Sequence, residues 1–243
     1  MGNFELNKTY EGDCLQIMAD MPDDFVTISI TSPPYNIKRK SASILDTKRK
    51  NHYADTMTKS DYFEWIKLVI QELIRVTKYH IFFNIQENKY NSGIIKYIQS
   101  NFDIKETWIW AKKNPPSHIV DTQCANGYEY IFCFSKDRMD TKHFTYCNFS
   151  NRNGDYMKNV FIEPVGKGYE GHNFVFPEWL PNFFIKNFSK QNDIVLDCFM
   201  GAGTTAIASA KQNRNYIGIE LNNEYLQLSE KRLINETAQS KLF

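Results

Sequence analysis

DIVLDCFMGAGTTAIASAKQNRNYIGIEL, from Asp193 to Leu221, reads as strand, glycine turn, helix and strand in one unbroken run. Asp193 to Phe199 is short and apolar, Thr204 to Gln212 carries helix formers, and Tyr216 to Leu221 is apolar again. A strand that passes through a helix into another strand makes a crossover, which is how parallel neighbours are connected. The same alternation recurs upstream. Leu15 to Met21 has a short helical pattern closed by Pro22, Phe25 to Ile30 reads as a buried strand, and TSPPY at Thr31 to Tyr35 follows directly. Ser60 can cap a helix whose apolar positions Tyr62, Trp65, Val69, Leu73 and Val76 keep helical spacing. Tyr79 to Ile85, Glu106 to Ala111 and Glu129 to Ser135 read as strands, Tyr90 to Ile98 as a helix, and NPPSH at Asn114 to His118 as a loop. Periodicity is lost from Asp137 to His172 and returns at Phe174. Pro181 then sits in a first helical turn, and Asn223 to Leu233 forms a last helix before a frayed polar tail, Asn235 to Ser240. The expectation is an α/β fold with a mainly parallel, doubly wound sheet covered on both faces.

Length and composition agree with one domain over residues 1–243, with 137–172 as an insertion. The five cysteines, Cys14, Cys124, Cys133, Cys147 and Cys198, are odd in number and form no CxxC pair, which argues against a zinc cluster or a disulfide framework. No metal ligand set is expected. No apolar run reaches about 18 residues and the start is polar, so the expected location is cytoplasmic, without a membrane partner. With 29 basic against 28 acidic residues, any anion-binding face has to be local. KRKSASILDTKRK at Lys38 to Lys50, directly after TSPPY, is the best candidate for phosphate contact, although charge runs are usually solvated.

The glycine loop carries the first chemical signal. Gly201 and Gly203 stand at a strand-to-helix turn where a side chain would obstruct a ligand. Asp197 ends the strand before it, and Glu220 ends the next one, where a carboxylate can accept both hydroxyls of a ribose. Ala206 replaces the third glycine of GxGxxG, which places dinucleotide binding second to another nucleoside cofactor. TSPPY carries the second signal. Two prolines fix their own backbone and restrain the residues before them, so a carbonyl there, with the Ser32 hydroxyl, can accept hydrogen bonds from an exocyclic amine. Tyr35 can stack on the base. A duplex base reaches such a pocket only when flipped out.

On these residues the chain resembles the DNA amino-methyltransferases of the N6-adenine and N4-cytosine family, in the circularly permuted beta arrangement where the amine motif precedes the cofactor loop. GDCLQIMADMPDDFVTISITSPPYNI resembles that family's opening, and FPEWLPNFFIKNFSKQNDIVLDCFMGAGTTAIASAKQNRNYIGIELNNEYLQLSEKRL its closing half; WIWAKKN and YEYIFCFSK match more loosely. The resemblance implies an S-adenosylmethionine-dependent enzyme. The cofactor would lie on Asp197, Phe199, Gly201, Gly203 and Thr204, with Glu220 on the ribose, Asp13 near the adenine amine, and Phe174 to Pro177 enclosing the methionine end. Ser32, Pro33, Pro34 and Tyr35 would grip the flipped base, and transfer would be a direct displacement without a covalent enzyme intermediate. No PCQ-type cysteine motif is visible. Ser32, where many adenine enzymes carry Asp, favours cytosine N4 over adenine N6, while Asn36 after Tyr35 is common among adenine enzymes. Residues 137–172 stand where the family keeps its target-recognition region, and include Arg138, Lys142, Asn148, Asn151, Arg152, Asn153 and Lys158. So small a region implies a short site or a homodimer on double-stranded DNA, with a restriction endonuclease as companion.

Other readings are methylation of protein glutamine or RNA, whose PPY enzymes place the glycine loop first, and a non-catalytic nucleic-acid-binding module. A nicotinamide dehydrogenase lacks support, because His52, His80, His118, His143 and His172 have no motif context.

Overall fold

A computed structural model describes residues 4–37, 57–115, 124–149, 157–166 and 176–239. Phe174, the basic stretch 38–50, and Asn151, Arg152 and Asn153 of the insertion lie outside the described residues.

The strands are β1 (Lys8–Glu11), β2 (Val26–Thr31), β3 (Thr77–Ile85), β4 (Glu106–Lys112), β5 (Tyr128–Ser135), β6 (Val160–Glu163), β7 (Ile194–Asp197) and β8 (Asn215–Glu220). The helices are α1 (Cys14–Ala19), α2 (Lys59–Val76), α3 (Ile94–Asn101), α4 (Trp179–Phe188), α5 (Thr204–Lys211) and α6 (Asn223–Gln239). Among the described residues the strands form one sheet in the order β1-β8-β7-β2-β3-β5-β4-β6. Every pairing is parallel except the two made by β5, so only β5 runs against the rest.

Alternation along the central strands explains the layering. In β3, Ile81, Phe83 and Ile85 face one side and pack with β5's Phe132 and Phe134 against α1, α2 and α3. Phe82 faces the other, with Ile28, Ile30, Val195 and Ile131, against α4 and Ala208 of α5. Phe82 stacks on Phe184 with ring centroids 4.0 Å apart, and each such buried ring contributes several kcal/mol, since truncation to Ala costs about 3–5 kcal/mol. Buried on both sides, these strands read as continuous apolar runs.

Several boundaries differ from the sequence expectations for local reasons. Thr58, not Ser60, caps α2: its hydroxyl accepts from Asp61 N at 3.2 Å. The helix expected from Tyr90 begins only at Ile94, because Asn88 and Asn91 capture backbone amides in a turn (Asn88 N to Asn91 Oδ1 2.6 Å, Tyr90 N to Asn88 Oδ1 2.7 Å). The tail expected to fray from Asn235 is instead the last turns of α6. Glu236 holds it, accepting from Lys211 at 2.9 Å and Arg232 at 3.0 Å, and these cations keep the Glu236 carboxyl below its ordinary pKa.

The stretch 137–172 is not wholly irregular, since β6 lies within it and pairs with β4. Phe144, Cys147 and Phe149 pack on the second face of the core. His80, fully buried, anchors this segment. Its Nε2–H donates to Tyr146 O at 3.0 Å and its Nδ1 accepts from Ser135 Oγ at 2.9 Å, roles assigned from the partners. Burial lowers the His80 pKa from 6.5 to about 4, against the smaller pull of Asp137. A histidine kept neutral by the fold contributes stability above pH 6.5, and that contribution is lost as pH falls toward about 4. Denaturant midpoints compared across this window should fall more steeply for the wild type than for His80→Gln. Equal slopes for the two proteins would show that His80 does not titrate as described.

Candidate active site

Because β5 alone is reversed, the carboxyl ends of β1, β8, β7, β2, β3, β4 and β6 and the amino end of β5 all reach one edge of the sheet. Ligands of open parallel sheets bind at such an edge. TSPPY leaves β2 there, and the glycine loop leaves β7 next to it, with Ile28 paired to Val195 and Ser29 to Leu196.

The two motifs touch directly. Thr31 Oγ1 donates to Asp197 Oδ1 at 2.7 Å, Phe199 N donates to the same oxygen at 3.0 Å, and Thr205 Oγ1 donates to Oδ2 at 2.6 Å. Burial raises the Asp197 pKa, and these three donors oppose the rise. Asp197 thus joins the end of β2, the loop and the start of α5. Sequence reading did not single out Thr31 for this contact.

Glu220 lies at the end of β8. Its Oε2 accepts from Gly201 N at 2.8 Å and its Oε1 from Asn222 N at 2.8 Å, while burial raises its pKa. A carboxylate has about four acceptor sites, so both oxygens retain capacity for a ligand's hydroxyls. Gly203 has φ of 82°, and a Cβ there would lie 2.7 Å from Ser229 Cβ of α6. The glycine is therefore required by the approach of α6 as well as by its left-handed backbone. Arg232, also on α6, donates to Ala202 O at 2.7 Å and reaches Thr204 Oγ1 at 3.4 Å.

Asp13 caps α1, accepting from Leu15 N at 3.0 Å and Gln16 N at 3.1 Å. Gly12 N donates to Glu220 O at 3.0 Å, which places Asp13 beside the end of β8. The Phe199 ring packs on Trp65 with centroids 5.4 Å apart. Asp13, Asp197, Phe199, Gly201, Gly203, Thr204 and Glu220 therefore belong to one stretch of the sheet edge.

TSPPY is held by partners that sequence reading missed. Tyr62 OH donates to Pro34 O at 2.9 Å, and Asn88 and Asn91 donate to Tyr35 O at 2.8 and 3.2 Å. Asn36 adopts a left-handed φ of 54° and donates to Met57 O at 3.0 Å, so a backbone demand accounts for its identity. Ser32 Oγ lies 2.8 Å from the Tyr35 hydroxyl, which donates to Glu129 Oε2 at 2.8 Å. Burial and the Glu129 charge push the Tyr35 pKa well above its ordinary 10, and the residue is a neutral phenol. Lys112 Nζ meets Glu129 Oε1 at 2.7 Å. Sequence reading assigned no role to Lys112, the last residue of β4, or to Glu129, the one charge within β5. Among the described residues, no group of three or more His, Cys, Asp or Glu could hold a metal ion, and no helix is long and apolar enough to cross a membrane.

The Type II beta methyltransferase M.BslI of Bacillus sp. (strain NEB-606) is 28% identical to the chain over 272 residues. That alignment takes in 97% of the chain, which spans only 28% of the length of this relative. Among solved structures, PvuII DNA methyltransferase (cytosine-N4-specific) matches with a TM-score of 0.68 at 18% identity, over 96% of this chain and 91% of that one. The M1.HpyAVI–SAM complex matches with a TM-score of 0.62 at 25% identity, over 93% and 98%. A family model described as DNA methylase, for N6 and N4 methyltransferases, matches residues 26–231. Since that match begins in β2, ends in α6 and includes both motifs, the chain belongs to the N6/N4 DNA methylase family.

Proposed function

We propose that this chain moves a methyl group from S-adenosylmethionine to the N4 amine of a flipped cytosine in double-stranded DNA. The observation that carries the reading is the Thr31–Asp197 hydrogen bond, which sets the amine-holding motif against the cofactor loop at 2.7 Å. The solved relative M1.HpyAVI is a SAM complex, which supports the cofactor assignment.

The residues present fit that cofactor. Glu220 would hold the ribose hydroxyls, Gly201 would let the ligand approach the backbone, Gly203 would give the cofactor loop its shape by admitting α6 behind it, Asp13 would meet the adenine amine, and Phe199, with Trp65 behind it, would offer an apolar surface. Asp197 and Thr204 would set the loop; Phe174, outside the described residues, is assigned to the methionine end from the sequence alone. When bound, the sulfonium supplies a methyl group already activated for displacement. The chain's own task is then to position and desolvate. With the carbonyls of Pro34 and Tyr35 engaged by Tyr62, Asn88 and Asn91, the acceptors for the target amine are assigned to Ser32 and Pro33, and Tyr35 to stacking on the base.

Cytosine is favoured over adenine N6 by the uncharged acceptor at Ser32. Residues 137–172 are assigned to target recognition, with homodimerisation compensating for their small size, and a restriction endonuclease is the expected companion in the cytoplasm.

Nucleoside mass spectrometry of duplex DNA from cells expressing the chain should find N4-methylcytosine; N6-methyladenine in its place would overturn the base assignment. Tyr35→Ala and Asp197→Ala should each lower methyl incorporation by about 10²-fold or more with circular dichroism unchanged, as misplacement of reacting groups does. Full retained activity would reject the assigned site. Gly203→Ala should weaken cofactor binding in calorimetry at least about tenfold, because the added methyl meets Ser229 and the left-handed backbone disfavours it. Unchanged affinity would detach this loop from the cofactor.

A further inference from the structure

The bonding around Glu129 has a direction. A carboxylate only accepts, so the single Tyr35 hydroxyl proton points to Glu129 Oε2 at 2.8 Å. Tyr35 Oη must then accept in its 2.8 Å bond with Ser32, and Ser32 is the donor. The lone pairs of Ser32 are left for a donor group, which an exocyclic amine is. Behind Glu129, Asn84 Nδ2 donates to Oε2 at 2.7 Å and Lys112 Nζ to Oε1 at 2.7 Å. The Lys112 and Glu129 side chains are only 5% and 8% exposed. A buried ion pair is poorly explained by stability, because apolar replacements of similar shape often serve as well. Asn84 Oδ1, also buried, has no hydrogen-bond partner among the described residues.

We infer that Glu129 is a positioning residue for methyl transfer, fixing the hydrogen-bond direction through Tyr35 so that Ser32 accepts from the target amine, and drawing off the amine's proton along the same chain. The inference rests on reading TSPPY as the base-holding motif. As the nitrogen–methyl bond forms, the carbon–sulfur bond breaks with its electron pair left on sulfur, and the amine nitrogen becomes cationic with a proton to lose. That proton passes to Ser32 Oγ, the Ser32 proton to Tyr35 Oη, and the Tyr35 proton to Glu129 Oε2. Neither hydroxyl is left charged, and the carboxylate ends protonated until solvent removes the proton.

Glu129→Gln keeps the shape and removes the charge. Methyl incorporation at saturating substrates should fall about 10²-fold, within the usual range for proton transfer to a positioned group, while KM for DNA and cofactor affinity in calorimetry stay as in wild type. Lys112→Met with Glu129→Gln controls for a buried ammonium left without its partner; the double variant should stay slow, and recovery of wild-type rate would reduce Glu129 to a structural counter-ion. In a Tyr35→Phe background, which severs the chain but keeps the ring, Glu129→Gln should cost nothing further. Full additivity of the two losses, or a Glu129→Gln variant as fast as wild type, would overturn the inference and leave the assignment of TSPPY standing. Failure of the wild-type chain to methylate DNA would instead remove that parent assignment and this inference together.

Discussion

The 2.7 Å bond from Thr31 to Asp197 is the constraint on which the site depends. A carboxylate taken out of water is costly unless its oxygens are well supplied with donors. Here the donors come from three places: the end of β2, the loop after β7 and the first turn of α5. None of the three can move without leaving the carboxylate short of a partner. The buried Asp197 therefore converts local strand order into a fixed spacing between two loops that are 166 residues apart in the chain.

From behind, α6 does similar work on the glycine turn. Ser229 fills the space where a Cβ of residue 203 would lie, and Arg232 ties down the Ala202 carbonyl. The loop is thus shaped from both sides, by a carboxylate in front and a helix at its back. On the same face of the sheet, Phe144 and Phe149 pack beside Phe188 of α4, with T-shaped contacts 5.1 and 5.3 Å between centroids. A segment that is irregular in backbone is still part of the hydrophobic core, which limits how freely its polar side chains can be repositioned.

Much of this was legible in the chain. The crossover around Gly201 and Gly203, the buried runs of β2, β3 and β5, and the two motifs were all visible because each is local in sequence. Other features were not local. The strand β1 has four residues with only Thr9 buried, and its register comes from β8, more than 200 residues away. The strand β6 has exposed Val160 and Ile162 and lacks the pattern of a buried strand. The α6 extension depends on cross-helix ion pairs with Lys211, which no propensity within Asn235 to Ser240 could signal. In the candidate site, Ser32 and Tyr35 could be read from the motif, whereas Glu129 and Lys112 are brought beside them only by the reversed strand β5 and its neighbour β4.

The pairing of β1 with β8 has a topological consequence. Its register aligns Glu11 with Glu220, so the segment that opens the fold lies along the last strand and beneath the helix that closes it. A fold whose first and last elements are neighbours can be cut at one loop and rejoined at another while every strand keeps its place. The order of TSPPY and the glycine turn along the chain is then not dictated by the sheet edge at which they meet.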